Sequence, residues 1–380
     1  MLRLDTRIPC GLATTVAVLF ASAACAQGFG GGPTAKPSTV RSVPAETTAA
    51  AVKERNWKAP RTSWGDPSFD GVWSTDDMRS VPLQRPENFG ERDTLTPEEF
   101  QQRAGRDEGG KDLAANRETF LRNEWGIRTF GYSSLVVSPA NGRIPEMTAA
   151  AKARAGNRDR GTFGPGPFNA FEDFTLYDRC ITRGVLGSTL PVIYGNGMRI
   201  VQTPTAISIS YEMIHDTRII PLDSRKHLDG SIRQYMGDAR GHFEGNTLVV
   251  ETTNFTDDTS IGPNGNGTRH SAGMKLTERF RRVDLDMIEY MATVNDLATY
   301  TAPFSFRLMI TTQPNYETYE YSCHEGNGAV GHALSGERAL DREAAEALAK
   351  GQPPPKRAEG LGIYGRPREG AEIFDINAGE

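Results

Sequence analysis

The sequence predicts a mainly β protein, either an antiparallel barrel or a strongly curved meander, with a few helices towards the N-terminus. Short alternating or apolar segments follow one another through the second half of the 380-residue chain, and turns rich in Gly, Asn and Asp separate them. No helical pattern lies between these segments, which favours antiparallel pairing. So many strands in one sheet must curl, split or close, and a barrel of about eight to ten strands can hold one small ligand.

The predicted strands begin with residues 69–74 and a segment that starts at residue 134 and runs into an Asn-Gly turn. The second half supplies the rest: residues 191–194, 199–203, 206–215, 218–222, 231–236, 247–253, 274–284, 286–294, 304–312 and 316–323. The sequence "FEGN" at 243–246 is typical of a hairpin turn.

The predicted helices form an insertion over residues 97–156. The first begins with a capping box, in which Thr96 is the N-cap, Pro97 takes the first helical position and Glu99 lies three residues after the cap. Residues 113–125 and the alanine-rich stretch that ends at Gly156 are the other two candidates. A short helix is also predicted near residues 340–350.

The N-terminus has the pattern of a signal peptide over residues 1–26. Arg3 and Arg7 precede an apolar run at 11–23, which is shorter than the roughly 20 residues of a membrane span. We therefore expect an exported, periplasmic protein cleaved after Ala26, with no transmembrane span. The alternative is a lipoprotein anchored through Cys25. The predicted division continues with a flexible linker at 27–61, one barrel-like domain at 62–338, and a short helix with a loose tail at 339–380.

Composition and motifs exclude several classes of function. The net charge is −5 and no basic patch is present, so nucleic acid is not an expected partner. The chain has no HExxH or CxxC metal motif and no G-x-S-x-G elbow, and its Gly-rich segments do not sit between a parallel strand and a helix. We expect a small-molecule substrate or ligand, with no metal and no cofactor. The sequence does not predict an oligomeric state.

Two cysteines remain after the predicted cleavage, Cys180 and Cys323. In an oxidising compartment an even pair favours a disulfide, and two free buried thiols are the alternative. A bond would bring "YDRC" at 177–180 next to "CHEGN" at 323–327. Arg179 and His324 would then be neighbours in a polar cluster, unless the bond only ties a loop to the last strand.

The stretch "YEMIHDTRIIPL" at 211–222 supplies the main catalytic candidates. If residues 207–215 form one strand, an apolar face ends at His215, which would lie at the rim of a cavity. An imidazole there could act as general acid or base, oriented by Asp216 or Glu212. The alternative is a solvated outer face with weak ion pairs. On a later strand Glu278 is an acid among apolar neighbours.

Other charged and phenolic residues complete the predicted site. Arginines match carboxylate geometry, and Arg218, Arg233 and Arg240 are candidates to hold an anion. The catalytic set is His215, Arg218, Asp216 and His324. The substrate-binding set is Arg233, Arg240, Tyr211, Glu212 and Arg179. We expect these groups to meet around one cavity.

Several motifs together resemble a large family of exported proteins from environmental bacteria, most of them without a settled activity. The motifs are "DRC", "EMIHDTRIIPL", "GDARGHFEGNTLVVETTNF" and "CHEGN", and the likeness covers roughly residues 130–335. The opening "DPSFDGVWS" looks like the first strand of lipocalin-like barrels. The resemblance implies a loose association with cofactor-free lyase or decarboxylase chemistry on aromatic, lignin-derived compounds.

The expected function is therefore a cofactor-independent lyase that acts by acid–base chemistry on a small aromatic carboxylate or phenol. One alternative is a barrel that binds a hydrophobic ligand without chemistry. Another is a hydrolase in which His215 or His324 activates water.

Overall fold

A computed structural model describes residues 57–116, 126–155, 168–312 and 316–355. All of these residues belong to one compact unit. The predicted signal peptide and most of the predicted linker lie outside the described residues, as does most of the loose tail.

Twelve strands form within the described residues. In chain order they are β1 (Gly71–Ser74), β2 (Val136–Ser138), β3 (Gly197–Gln202), β4 (Ala206–Tyr211), β5 (Thr217–Pro221), β6 (Asp238–Glu244), β7 (Thr247–Thr253), β8 (Ser260–Ile261), β9 (Thr268–Arg269), β10 (Lys275–Asp284), β11 (Met287–Asn295) and β12 (Phe304–Thr311).

The described α-helices are α1 (Pro97–Asn116), α2 (Ala149–Ala155), α3 (Gly184–Thr189) and α4 (Ala329–Ala349). Helix α1 has the predicted capping box: the Thr96 N–H donates to Glu99 at 2.7 Å, and the Glu99 N–H donates to Thr96 Oγ1 at 3.3 Å. Helix α4 is longer than predicted because it begins at Ala329. Helix α3 was not predicted. The second predicted helix, 113–125, lies mostly outside the described residues.

The main sheet is a nearly closed antiparallel barrel, as the sequence predicts. Nine strands follow the order β5-β4-β3-β1-β12-β11-β10-β7-β6, and β2 pairs with β12 beside this path. The two end strands approach closely. A Cβ added to Gly241 of β6 would lie 2.8 Å from Ile220 Cγ2 and 2.9 Å from Leu222 Cδ2. Side chains, rather than paired backbone, thus close the gap between β5 and β6.

One continuous apolar core fills the barrel. Alternate residues of each long strand point inwards; on β12 these are Phe304, Phe306, Leu308 and Ile310. Helix α3 adds Val185 and Leu186 to the same cluster. Its two glycines give it poor helix propensity, but all six of its residues are buried, so tertiary packing stabilises it.

Three predicted strands are not strands in the structure: 191–194, 231–236 and 316–323. In the second of these Ile232 is half exposed and Tyr235 is exposed, and only Met236 packs against the core. Conversely, β6 is not among the predicted strands. It forms a hairpin with β7 through the predicted "FEGN" turn; His242 and Glu244 are exposed, whereas Asp238 is buried.

The predicted strand 206–215 ends early, which moves His215 off any strand face. Ile214 and His215 both have positive φ, at 65° and 47°, and the chain turns tightly there. The Tyr211 N–H donates to the Asp216 carbonyl at 2.8 Å across this turn. β5 then returns antiparallel to β4.

Candidate functional site

The predicted disulfide is confirmed. Cys180 and Cys323 are bonded, with Cα atoms 5.6 Å apart. The bond holds "YDRC" beside "CHEGN", where the Asn327 side-chain amide donates to the Asp178 carbonyl at 3.1 Å. His324 is exposed on this turn, and no contact of its side chain with Arg179 is present among the described residues.

The turn after β4 holds the segment that leads to Cys323. Glu212 is buried and accepts hydrogen bonds from the Tyr316 hydroxyl at 2.8 Å and the Tyr319 N–H at 3.1 Å. His215 is exposed, and its Nδ1 lies 3.1 Å from the Tyr321 carbonyl oxygen. Neither Glu212 nor Asp216 orients the His215 ring, so the expected acid–base pairing is not formed.

The barrel interior contains an ion pair between Arg218 and Glu278. Two hydrogen bonds of 2.6 and 2.7 Å join the guanidinium to the carboxylate, and the two side chains are 3% and 0% exposed. The Tyr290 hydroxyl donates to the same carboxylate at 2.9 Å. Tyr211 is also buried, but its hydroxyl lies 3.1 Å from Thr189 Oγ1 on α3. The guanidinium of Arg218 is therefore occupied by the ion pair with Glu278, and it does not face a ligand cavity.

The electrostatics of this interior group follow from burial and charge. Burial alone would lower the pKa of Arg218, but the Glu278 carboxylate outweighs it and raises that pKa. Burial and the Glu278 charge together raise the pKa of Tyr290 well above its usual range. Arg218 and Tyr290 therefore keep their protons at ordinary pH values, so the arginine is charged and the tyrosine is neutral.

A pocket of about 220 Å³ lies next to α3. It is formed by the segment that precedes α3, the β8–β9 hairpin and Tyr235. The lining residues include the aromatic rings, hydroxyls and arginines of Phe174, Arg179, Thr182, Tyr235, Thr259, Ser260 and Arg269. Helix α3 fits tightly against the hairpin turn: a Cβ on Gly187 would lie 2.2 Å from the Gly265 nitrogen. This close packing fixes the two walls relative to each other.

Arg179 is the predicted site residue that lines the pocket directly. Among the residues the structure describes, its guanidinium has no hydrogen-bonding or ionic partner. A second arginine at the pocket, Arg269, is paired with the Asp258 carboxylate. Arg183 also lines the pocket but is buried and donates to the Gly195 carbonyl, so Arg179 is the lining cation with neither a hydrogen bond nor an ion pair from its guanidinium among the described residues; the Glu172 carboxylate lines the same pocket.

Asp216 reaches the pocket indirectly. The Thr182 hydroxyl, on the pocket wall, donates to Asp216 Oδ2 at 2.5 Å. Burial raises the pKa of Asp216, and the hydrogen bond from Thr182 opposes that shift in part.

Thr259 and His270 form a second polar pair at the pocket. Thr259 Oγ1 and His270 Nε2 are 2.5 Å apart. Sequence reasoning missed this pair, although a signal was available. In the β8–β9 hairpin Ser260 pairs with Arg269 and Ile261 with Thr268, so extending the register places residues 259 and 270 opposite each other.

A buried arginine with tyrosine neighbours was also missed. Arg183 is 1% exposed, and Nη1 donates to the Gly195 carbonyl at 3.1 Å, while Nε and Nη2 have no hydrogen-bond partner. Burial lowers the pKa of Arg183 to about 10, and the nearby Tyr177, Tyr194 and Tyr321 hydroxyls act against this.

The remaining predicted residues lie elsewhere. Arg233 is exposed and donates to the carbonyls of Phe255 and Ala272. Arg240 faces outwards from β6 and pairs with Asp238 at 2.6 Å. Both arginines donate hydrogen bonds to backbone carbonyls of neighbouring loops. The expected convergence of His215, Arg218, Arg233, Arg240 and His324 on one cavity is not what the structure shows.

Fold and pocket together define the class: a disulfide-bonded β-barrel protein with a polar pocket beside one end of the barrel. Within the described ranges no helix is long and apolar enough to cross a membrane, and no group of three or more His, Cys, Asp or Glu could hold a metal ion. Comparison of the chain with family models, curated proteins and solved structures gave no match. Function is therefore inferred from the pocket.

Proposed function

We propose that the protein binds a small aromatic carboxylate in the pocket beside α3. The observation that carries this proposal is Arg179, a guanidinium at the pocket with no partner among the described residues. A planar guanidinium matches a carboxylate with two parallel hydrogen bonds. Phe174 and Tyr235 line the same pocket and supply apolar surface for a ring.

The pocket volume supports a ligand of about one ring. A cavity of about 150 Å³ is enough for benzene, and this pocket measures about 220 Å³. A benzoate with one or two further substituents is therefore the expected size class. The hydroxyls of Thr182 and Ser260 and the amide of Asn266 line the pocket and are suited to hydrogen bonds with phenol or methoxy oxygens.

Binding is favoured over the lyase reaction expected from the sequence because of where the proposed acid–base groups lie. The lyase reaction depended on His215 at a cavity mouth, but His215 is not among the pocket residues and contacts a backbone carbonyl. Arg218 is held by Glu278 inside the barrel. A ligand is thus expected to be retained rather than converted by these groups.

We further propose that binding takes place in the periplasm. The pattern of residues 1–26 is that of a leader peptide, and the Cys180–Cys323 bond requires an oxidising compartment to persist.

The test uses the protein from residue 27 onward and a panel of benzoate derivatives, with binding followed by calorimetry and thermal unfolding. A ligand at 100 times its Kd should stabilise the protein by about 2.7 kcal/mol. Arg179→Gln should weaken binding about 10- to 100-fold, since hydrogen bonds between charged groups contribute roughly 1.5–3 kcal/mol.

Arg199→Gln is the matched control. Arg199 is exposed on the outer face of β3 and is not a pocket residue, so this variant removes the same charge elsewhere and should bind normally. Equal affinity for Arg179→Gln and wild type would refute the site. A change in ligand mass without added cofactor would instead favour the lyase.

A further inference from the structure

The Thr259–His270 pair has defined proton positions. His270 Nδ1 lies 3.0 Å from the Ser271 carbonyl oxygen, which can only accept a hydrogen bond. Nδ1 therefore carries the proton, and Nε2 has a free lone pair. Because Nε2 lies 2.5 Å from Thr259 Oγ1, the threonine hydroxyl donates to it.

The imidazole is held rigidly. His270 is 2% exposed, and its ring meets the edge of Phe255 at 5.4 Å between centroids. The Asp296 carboxylate accepts hydrogen bonds from Ser271 N at 2.7 Å and Ser271 Oγ at 2.6 Å. Asp296 thereby fixes the residue whose carbonyl orients the ring. Burial also lowers the pKa of His270, so the ring is neutral at pH 7.

This is the geometry of an activated hydroxyl: a nucleophile bonded to a base, with the base oriented by a third group. We propose that Thr259 and His270 form a nucleophile–base pair that hydrolyses phenolic esters of hydroxybenzoates, whose free carboxylate is bound in the pocket. The substrate class rests on the proposed function, because Arg179 is expected to hold the carboxylate. Thr259 lines the same pocket.

The reaction proceeds in two balanced steps. Thr259 Oγ attacks the ester carbonyl carbon while His270 Nε2 takes the hydroxyl proton; the ester C–O bond breaks, and the leaving oxygen takes that proton from His270. Water then attacks the acyl-threonine, His270 takes its proton and returns one to Thr259 Oγ, and the free acid leaves. No redox partner or cofactor is consumed.

Other hydroxyls of the pocket lack this arrangement. Thr182 donates to the Asp216 carboxylate and Thr175 to the Asp178 carboxylate. Ser260 lines the pocket beside Thr259 and has no imidazole contact. Thr277→Val is the matched control, since it makes the same substitution on the outer face of β10, away from the pocket and outside the pair.

The experiment measures hydrolysis of 4-acetoxybenzoate, which carries both the carboxylate and the ester, and of the uncharged 4-nitrophenyl acetate. Binding of the product 4-hydroxybenzoate is measured in parallel. Thr259→Val should lower the hydrolysis rate about 10²- to 10⁴-fold with product binding and melting temperature retained. Thr259→Ser should keep a measurable rate, and Thr277→Val should match wild type.

Trapping gives a direct readout. Acid quenching in the first turnovers should leave one acetyl group on the peptide that contains Thr259, and this adduct should be absent from Thr259→Val. If Thr259→Val does not fold, His270→Gln serves instead, because it keeps the hydroxyl and removes the base.

The outcomes separate the two proposals. Product binding without hydrolysis of either ester would overturn the nucleophile–base pair and leave the binding proposal intact. Hydrolysis of 4-nitrophenyl acetate that depends on Thr259, with no binding of aromatic acids, would support the pair and refute the ligand class. Wild-type hydrolysis by Thr259→Val would overturn the pair outright.

Discussion

Replacing Glu278 with Gln should destabilise the protein more than replacing any exposed carboxylate. The substitution keeps the side-chain shape but removes the charge that balances Arg218, and both side chains are almost completely buried. Loss of one partner of a buried ion pair costs about 3–5 kcal/mol, because the other charge remains without compensation. For a domain of this size the melting temperature should fall by roughly 6–20 °C.

The assay is urea unfolding followed through the fluorescence of the buried Trp73, with the disulfide kept intact. If the slope of the unfolding free energy against urea concentration (the m-value) is the same in variant and wild type, the lost stability comes from the folded state rather than from a different unfolded ensemble. Glu244→Gln is the control: it also removes an arginine-paired carboxylate, but the Arg279–Glu244 pair is about half exposed. It should lose at most about 1 kcal/mol.

A double variant tests the cause. Arg218→Met with Glu278→Leu removes both charges and should regain most of the stability, since a buried pair replaced by apolar groups is often neutral or stabilising. A loss below about 1 kcal/mol for Glu278→Gln alone would refute the reasoning, as it would mean that Arg218 finds another counter-charge or water.

Two further predictions concern the disulfide and Asp216. Cys180→Ser with Cys323→Ser should lower the free energy of unfolding by roughly 4–5 kcal/mol, as expected for closing a loop with a sequence separation of 143 residues; a loss under about 1 kcal/mol would contradict this. Asp216→Asn should raise stability at pH 7. Because the folded pKa of Asp216 lies above its unfolded value, wild type loses stability as pH rises through the folded pKa, while the amide does not titrate. The stability difference between variant and wild type should therefore shrink as pH falls to about 3; a difference that grows towards acid pH would contradict the assignment.

Strand positions could be predicted from the sequence where apolar and polar residues alternate, because one face of such a strand is buried. The predictions 247–253, 274–284 and 286–294 match β7, β10 and β11 to within one residue at each end. The prediction failed where apolar residues serve a loop. In residues 231–236 Ile232 and Tyr235 are exposed and Arg233 donates to the Phe255 and Ala272 carbonyls. In the last predicted strand the Tyr316 hydroxyl and the Tyr319 N–H donate to Glu212.

The candidate site was predicted only in part, because its residues come together through loops. Arg179 could be selected because the disulfide constrains its segment. Glu278 stood out as an acid among apolar neighbours, yet its partner Arg218 lies 60 positions away, and nothing in either segment indicates the other. Likewise, α3 is stabilised by burial rather than by helix propensity, so its sequence alone does not predict the helix beside the pocket.

The strand count has a consequence for how the barrel holds together. Every neighbouring pair along the nine-strand path is antiparallel, so the first and last strands, β5 and β6, run in the same direction. Because the number of strands is odd, β5 and β6 cannot close the barrel by antiparallel pairing. Arg218 on β5 pairs with Glu278 on β10, the third strand on the other side of this joint. The ion pair therefore links the two sides of the joint between β5 and β6, where no hydrogen-bond ladder joins the strand edges, and unpaired edges are the places where a foreign strand can add to a sheet.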